Sequence, residues 1–224
     1  MSGFRNNISL NRSISQGILK NIISKLLICC DLMRDDCIKN SLKINNLEED
    51  IRDYLYVNYL NDDDIMEKVG LDEFRFYSEV PENYQNNKPK GRTDLHVFSI
   101  DMFKHRKQYF TIECKRINGK KTLNRYYIEN GIKRFLGEQP LYSSFFGMNC
   151  LFSFVVEDID IEKNTDEING LISCDYEEIN VKSPISHIEI SSSYDYTYKS
   201  EYVANHDIDI LLYHVFYNFT SIIK

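Results

Sequence analysis

The spacing of apolar residues changes along the chain, and each spacing predicts a type of secondary structure. Over residues 14–34, isoleucine and leucine recur every three or four positions, which predicts an amphipathic helix. Residues 46–60 show the same spacing and predict a second helix. The acidic residues of 61–64, and then Gly70, indicate loops before the next element.

Three β-strands are predicted next, because β-branched and aromatic residues alternate or cluster over 74–80, 93–100 and 109–114. A polar segment rich in Asn, Lys and Pro, residues 81–91, is expected to form a loop between the first two strands. Residues 101–108 fit a hairpin loop between the second strand and the third.

The rest of the chain is predicted to add helices and two further strands. After a turn at 118–119 we expect a helix over 122–136, a buried strand over 150–156, a linker or short helix over 157–170, an edge strand near 188–192 and a terminal helix over 208–219. A helix, three strands, a helix and a strand in this order predict an α/β fold with a mixed central β-sheet flanked by helices.

Composition favours a soluble intracellular protein. Hydrophobic residues make up 42% of the chain and charged residues 27%, which is ordinary for a folded domain. The six cysteines form neither a C-x-x-C pair nor a zinc-like pattern with histidine, so reduced thiols are expected. No signal peptide is apparent, and no apolar run approaches the ~20 residues that span a bilayer. We therefore expect a cytoplasmic protein without a membrane partner.

Charge is unevenly distributed along the chain. The net charge of −7 argues against a polyanionic partner. However, residues 88–134 carry thirteen basic and four acidic side chains, whereas residues 135–224 carry four basic and fifteen acidic ones. A phosphate backbone responds to the local field, so the middle of the chain is where nucleic acid is expected to bind. A solvated lysine-rich loop is the alternative.

The strongest chemical signal is Asp94 followed by Glu113-Cys114-Lys115 on the next predicted strand. In a hairpin the start of one strand adjoins the end of its partner, and alternation puts Glu113 and Lys115 on one face with Cys114 on the other. Two carboxylates and the Cys114 carbonyl form a hard oxygen site suited to Mg²⁺, with Mn²⁺ as an alternative ion. Lys115 can orient or deprotonate a metal-bound water and stabilise the charge of the transition state.

This arrangement resembles the PD-(D/E)XK nuclease superfamily. The first motif element reads Thr93-Asp94, without the proline, and the second reads Glu113-Cys114-Lys115; the similarity spans roughly residues 44–156. The resemblance implies a restriction-endonuclease-like core and a Mg²⁺-dependent nuclease that hydrolyses DNA phosphodiester bonds. It divides the chain into an N-terminal helical segment (1–40), the nuclease core (41–160) and a C-terminal extension packed on the core, with strands and a terminal helix (161–224).

Members of this superfamily commonly add a glutamate from the helix ahead of the sheet. On a helical wheel, Glu48 lies at the border of the apolar face and Glu49 faces water, so Glu48 is preferred as the further metal ligand. Both can instead complement the helix dipole. Glu79 is another candidate carboxylate, with an exposed strand-end charge as its alternative.

The helix after the motif resembles that of bacterial defence-associated members, which implies an effector of an anti-phage defence or restriction system. Tyr126 is expected near the site. The basic residues expected to bind nucleic-acid phosphates are Arg116, Lys120, Lys121, Arg125, Lys133 and Arg134. A helix that packs on the sheet with solvated basic residues opposite is the alternative.

Two other functions use the same features. One is a catalytically inactive nucleic-acid-binding or assembly subunit of a defence complex, and the other is an RNA-directed nuclease with the same site. His206 and His214 lack a second ligand at metal spacing and are interpreted as structural. The absence of a phosphate loop argues against ATP hydrolysis, and a partner subunit or a second copy of the chain is expected to supply targeting.

Overall fold

The computed structural model describes residues 3–85, 88–99, 108–137, 140–204 and 208–224 and, within these ranges, the side chains except those of 3–11 and 83–85. Ile100, His206 and most of the predicted 101–108 loop lie outside the described residues. The helices are α1 (Gly3–Lys39), α2 (Glu48–Leu55), α3 (Asp63–Val69), α4 (Lys121–Asn130) and α5 (Ile161–Asp175). The strands are β1 (Phe74–Gln85), β2 (Lys88–Ser99), β3 (Phe110–Ile117), β4 (Met148–Val155), β5 (Val181–His187), β6 (Thr197–Val203) and β7 (Asp209–Asn218).

The seven strands form one mixed sheet in the order β1-β2-β3-β4-β7-β6-β5. The central strands β3, β4 and β7 are parallel, and the outer strands pair antiparallel. Helices pack on the sheet, so the predicted α/β class with a mixed, helix-flanked sheet is confirmed.

Each face of the sheet is covered by its own hydrophobic cluster. On one face, α1, α2 and α3 pack on side chains that include Ile112, Cys114 and Phe152. On the other, α4 and α5 pack on Leu151 and Phe216 among others. Because Cys114 points toward α1–α3, its neighbours Glu113 and Lys115 point to the opposite face, as the strand alternation predicts.

One prediction for the C-terminal part is wrong, and another is displaced by a few residues. The predicted terminal helix is β7, which lies between β4 and β6, and its residues are buried almost without interruption. Strands covered on both faces lack an alternating pattern, so a continuous apolar run does not separate them from helices. The edge strand expected near 188–192 and its surroundings is β5, which ends just before this segment, at His187. Pro184 is tolerated in β5 because one side of an edge strand is unpaired.

Other boundaries differ from the prediction in smaller ways. The predicted loop 81–91 is largely strand, because β1 and β2 continue pairing to Gln85↔Lys88. The predicted helix over 122–136 ends at Asn130 and is followed by a 3₁₀ turn, Ile132–Phe135. The predicted loops over 61–70 contain α3, which Asp62 caps by accepting a hydrogen bond from the Ile65 N–H at 2.9 Å.

All six cysteines are free, and five of them are buried. In the part of the chain that the structure describes, none of the helices combines the length and apolar character needed to cross a membrane.

Candidate active site

Asp94 lies where β2 and β3 separate. The two strands pair over 95–97 with 110–112, and beyond this point the Asp94 carboxylate takes part in the link between them. Its Oδ2 accepts a hydrogen bond from the Cys114 N–H at 2.8 Å. At this point, here called the fork between β2 and β3, a side-chain hydrogen bond replaces one between backbone groups. It fixes Asp94, which is 8% exposed, beside Glu113.

The Lys115 ammonium lies among oxygen atoms from three elements. Its Nζ is 2.9 Å from Glu113 Oε1, 2.9 Å from Glu48 Oε1 and 3.7 Å from Asp94 Oδ2. It also donates a hydrogen bond to the Cys114 carbonyl at 2.5 Å. Since both carboxylates lie within 4 Å of one nitrogen, Asp94 and Glu113 are close enough to share a cation with oxygen ligands at about 2–2.6 Å.

Burial and the neighbouring charges set the protonation states of Glu113 and Lys115. Glu113 is fully buried, and burial together with the nearby Asp94 raises its pKa to about 8, with Lys115 and Arg134 opposing the shift. Burial alone lowers the pKa of Lys115, but the carboxylates of Glu113, Asp94 and Glu48 outweigh it and raise that pKa overall. Lys115 is therefore an ammonium here, a source of positive charge and hydrogen bonds rather than a base.

Glu48 reaches the site from the first turn of α2. Its Oε1 accepts from Lys115 Nζ and its Oε2 accepts from the Arg116 N–H, both at 2.9 Å. Glu49 is exposed to solvent. The structure therefore places the two glutamates as the helical wheel predicts.

An arginine that the sequence analysis missed joins Asp94 to Glu79. Arg52, one helical turn after Glu48, is 6% exposed. Its Nη1 donates to Asp94 Oδ1 at 2.7 Å and also to the Glu79 carboxylate. Glu79 is half-exposed and has a positive φ of 55°, a backbone conformation that non-glycine residues rarely adopt. The four-residue step from Glu48 to Arg52 along α2 is the signal that could have found this arginine.

Arg134 was predicted to bind phosphates, and the structure places it inside the site. Its guanidinium donates to Glu113 Oε1 at 2.8 Å and to the Tyr142 hydroxyl. Tyr142 in turn donates to the Arg92 carbonyl at 2.7 Å and lies 3.3 Å from Glu113 Oε1. No sequence signal identifies Tyr142, because it lies in a loop without periodicity.

The other predicted phosphate contacts lie outside this cluster. Arg116 donates to the backbone and side-chain oxygens of Asn46. The rest form ion pairs on the surface: Lys120 with Glu157, Lys121 and Arg125 with Asp175, and Lys133 with Glu178. The exposed ring of Tyr126 lies 5.9 Å from Lys115 Nζ, as expected for a residue near the site.

The oxygen donors present fit a hard divalent cation. Carboxylates and a backbone carbonyl are the ligands that Mg²⁺ takes, and Glu113 Oε2 is buried without a hydrogen-bond partner. Among the residues that the structure describes, no group of three or more His, Cys, Asp or Glu side chains is arranged as it stands to hold a metal ion. At this site the Lys115 ammonium lies between the carboxylates.

His214 lies away from the carboxylates, in the middle of the sheet. Its ring nitrogens hydrogen-bond to the Tyr127 hydroxyl at 2.5 Å and the Ser200 hydroxyl at 2.6 Å. Complete burial lowers its pKa to about 3, so it is neutral. It joins α4 to β6 and β7, which agrees with a structural role.

Comparison of the chain with protein-family models, with curated proteins and with solved structures gives no match.

Proposed function

We propose that the protein is a Mg²⁺-dependent nuclease that hydrolyses DNA phosphodiester bonds, with a restriction-endonuclease-like core. One observation carries the proposal: Asp94, Glu113 and Glu48 converge with the Cys114 carbonyl on the Lys115 ammonium at the fork between β2 and β3. Positive charge is already stabilised there, by the oxygen donors that a hard cation requires.

Asp94, Glu113, Glu48 and the Cys114 carbonyl would hold the metal ion. When bound, Mg²⁺ lowers the pKa of a coordinated water and offsets the charge on the phosphate. Other groups of the chain position these ligands. The Cys114 N–H and Arg52 fix both oxygens of Asp94, and Arg134 holds Glu113 in place by donating to its Oε1. Lys115 then contributes positive charge beside the phosphate.

A second function is favoured by the same contacts. Arg52, Lys115 and Arg134 already contact the carboxylates, and a site held together in this way can persist without a metal. A catalytically inactive nucleic-acid-binding subunit with the same fold would show these contacts. The role in anti-phage defence, and targeting by a partner or a second copy, also remain predictions.

Cleavage assays with matched variants separate these functions. Purified protein is incubated with plasmid DNA and with RNA, in Mg²⁺, in Mn²⁺ or in EDTA. We expect metal-dependent DNA cleavage that falls at least about 100-fold in Asp94→Asn and Lys115→Ala. Glu48→Gln should also lose activity, whereas Glu49→Gln, one residue away and solvent-exposed, should retain it.

Three results would reject the proposal. Binding of DNA without cleavage under any metal condition would favour the inactive subunit. Cleavage of RNA alone would reassign the substrate. Equal activity of Asp94→Asn and the wild type would show that the hydrolysis arises elsewhere.

A further inference from the structure

Among the described residues, 81–85 and 88–92 form a two-stranded ribbon with no third strand beside it, here called the basic ribbon. β1 and β2 pair from Pro81↔Arg92 to Gln85↔Lys88, while the described pairs of β3 with β2 lie at 95–97. The base of the ribbon is anchored by the loop before β4. There the Tyr142 hydroxyl donates to the Arg92 carbonyl at 2.7 Å, and the Ser143 N–H donates to Glu82 at 2.8 Å.

One face of the ribbon is basic. Lys88, Lys90 and Arg92 alternate along β2, so their side chains share a face, with about 7 Å between successive positions. Lys88 is exposed, and the Arg92 side chain is 60% exposed. The opposite face packs on the loop, since a Cβ added at Gly91 would lie 3.2 Å from the Tyr142 ring.

The one carboxylate in the ribbon sequence is buried and does not face solvent. Glu82 is the only acidic residue in 81–92. It is 4% exposed and accepts hydrogen bonds from the Tyr109 hydroxyl and the Ser143 N–H. The ribbon therefore presents positive charge to solvent on a chain whose net charge is −7.

The basic face leads directly to the carboxylates. Arg92 Nη1 lies 3.9 Å from Glu79 Oε2. Glu79 shares Arg52 with Asp94, so a short series of ion pairs connects the ribbon to the fork.

Lys88 differs from the basic residues of α4 and its flanks, whose charges are paired with surface carboxylates. The ammonium of Lys120 and the guanidinium of Arg125 are paired with surface carboxylates, so phosphate binding there must displace an internal partner. Across the described ranges, Lys88 forms no ion pair.

We infer that the basic ribbon binds the phosphate backbone of duplex DNA beside the bond to be cut. The inference rests on the proposed function, because it assigns the ribbon to the substrate of the same site. The major groove of B-DNA admits a two-stranded β-ribbon, whereas the major groove of A-form RNA is too narrow for side chains to read. These groove dimensions favour DNA over duplex RNA.

DNA binding in EDTA tests the inference without requiring cleavage. The affinity for a short fluorescent DNA duplex is measured over a range of salt concentrations for the wild type and for Lys88→Gln/Arg92→Gln. The control is Lys182→Gln/Lys199→Gln, which makes the same charge change on β5 and β6 at the opposite edge of the sheet. We expect the ribbon variant to bind at least about 10-fold more weakly, with a salt dependence reduced by the equivalent of about two phosphate contacts. The control should bind like the wild type.

The possible outcomes separate the two proposals. Equal losses in both double variants, or a loss in Lys121→Gln/Arg125→Gln alone, would overturn the ribbon inference and leave the nuclease proposal intact. Equally tight, ribbon-dependent binding of an RNA duplex would overturn the assignment to DNA. Ribbon-dependent DNA binding by a protein that cleaves nothing would support the ribbon and reject the nuclease.

Discussion

At the residue scale, the burial of the Glu113 carboxyl group lowers the stability of the folded protein as pH rises, and this loss can be measured. Its folded-state pKa of about 8 lies above the ordinary value of 4.5. Between those two values the unfolded chain releases the proton while the folded protein keeps it. As pH rises through this window, Glu113 therefore removes up to ~1.4 kcal/mol of folding free energy for each pH unit.

We expect the free energy of unfolding of Glu113→Gln to increase relative to that of the wild type as pH rises from 5 to 8. Urea unfolding in EDTA at several pH values measures this difference. Glu49→Gln, which changes an exposed carboxylate, should show no comparable trend. A pH-independent difference for Glu113→Gln would mean that Lys115 and Arg134 keep Glu113 ionised throughout.

Residues at regular positions of the site were predictable, and residues held only by tertiary contacts were not. Strand alternation placed Glu113 and Lys115 on one face, and the helical wheel brought Glu48 to them. The four-residue step from Glu48 puts Arg52 on the same side of α2, but its burial depends on carboxylates from β1 and β2, which the sequence of α2 alone does not reveal. Tyr142 reaches Glu113 from a loop whose path has no periodicity.

At the element scale, Gly131 connects α4 to the turn that carries Arg134. A Cβ at this position would lie 2.4 Å from the Tyr127 carbonyl oxygen and 2.7 Å from Leu151 Cδ2. One of these neighbours is backbone and the other belongs to the buried strand β4, so neither can move easily.

Gly131→Ala should therefore destabilise the protein by about 1–3 kcal/mol and displace Arg134 from Glu113. Thermal unfolding and the cleavage assay measure the two effects. Gly170→Ala is the matched control, because that glycine is exposed in α5 with no atom within 4 Å of the added carbon. It should be neutral or stabilising by up to ~1 kcal/mol. A Gly131→Ala protein as stable as the control would show that α4 and the turn shift freely.

The sequence indicated elements most reliably where one face of the element meets solvent. α1 shows this in its buried positions, from Leu19 to Met33, at helical spacing. β7 is covered on both faces and was therefore predicted as a helix. The outer parts of β1 and β2 were predicted as a loop because their polar residues form a ribbon with no core to cover.

At the scale of the whole molecule, the position of β7 makes the last third of the chain part of the central sheet. β4 pairs with β7 over eight residues, from Met148↔Leu211 to Val155↔Asn218. Both faces of β7 are buried, under the cluster of α1–α3 on one side and that of α4 and α5 on the other. The helices that hold Glu48 and Arg134 in place thus pack on a sheet whose middle includes residues 209–218.

This topology predicts how a shortened chain behaves. A chain of residues 1–160 loses β5, β6, β7 and α5, which leaves the β4 edge unpaired and apolar side chains of both clusters exposed. We expect it to aggregate or to lack a cooperative thermal transition by circular dichroism. Adding residues 161–224 as a separate chain should restore a transition and slow hydrogen exchange at the β4 amides, because the missing strands can pair again. If residues 1–160 alone unfold cooperatively near the melting temperature of the full chain, the C-terminal third is an extension packed on an independent core, and β7 is dispensable for the geometry of the fork.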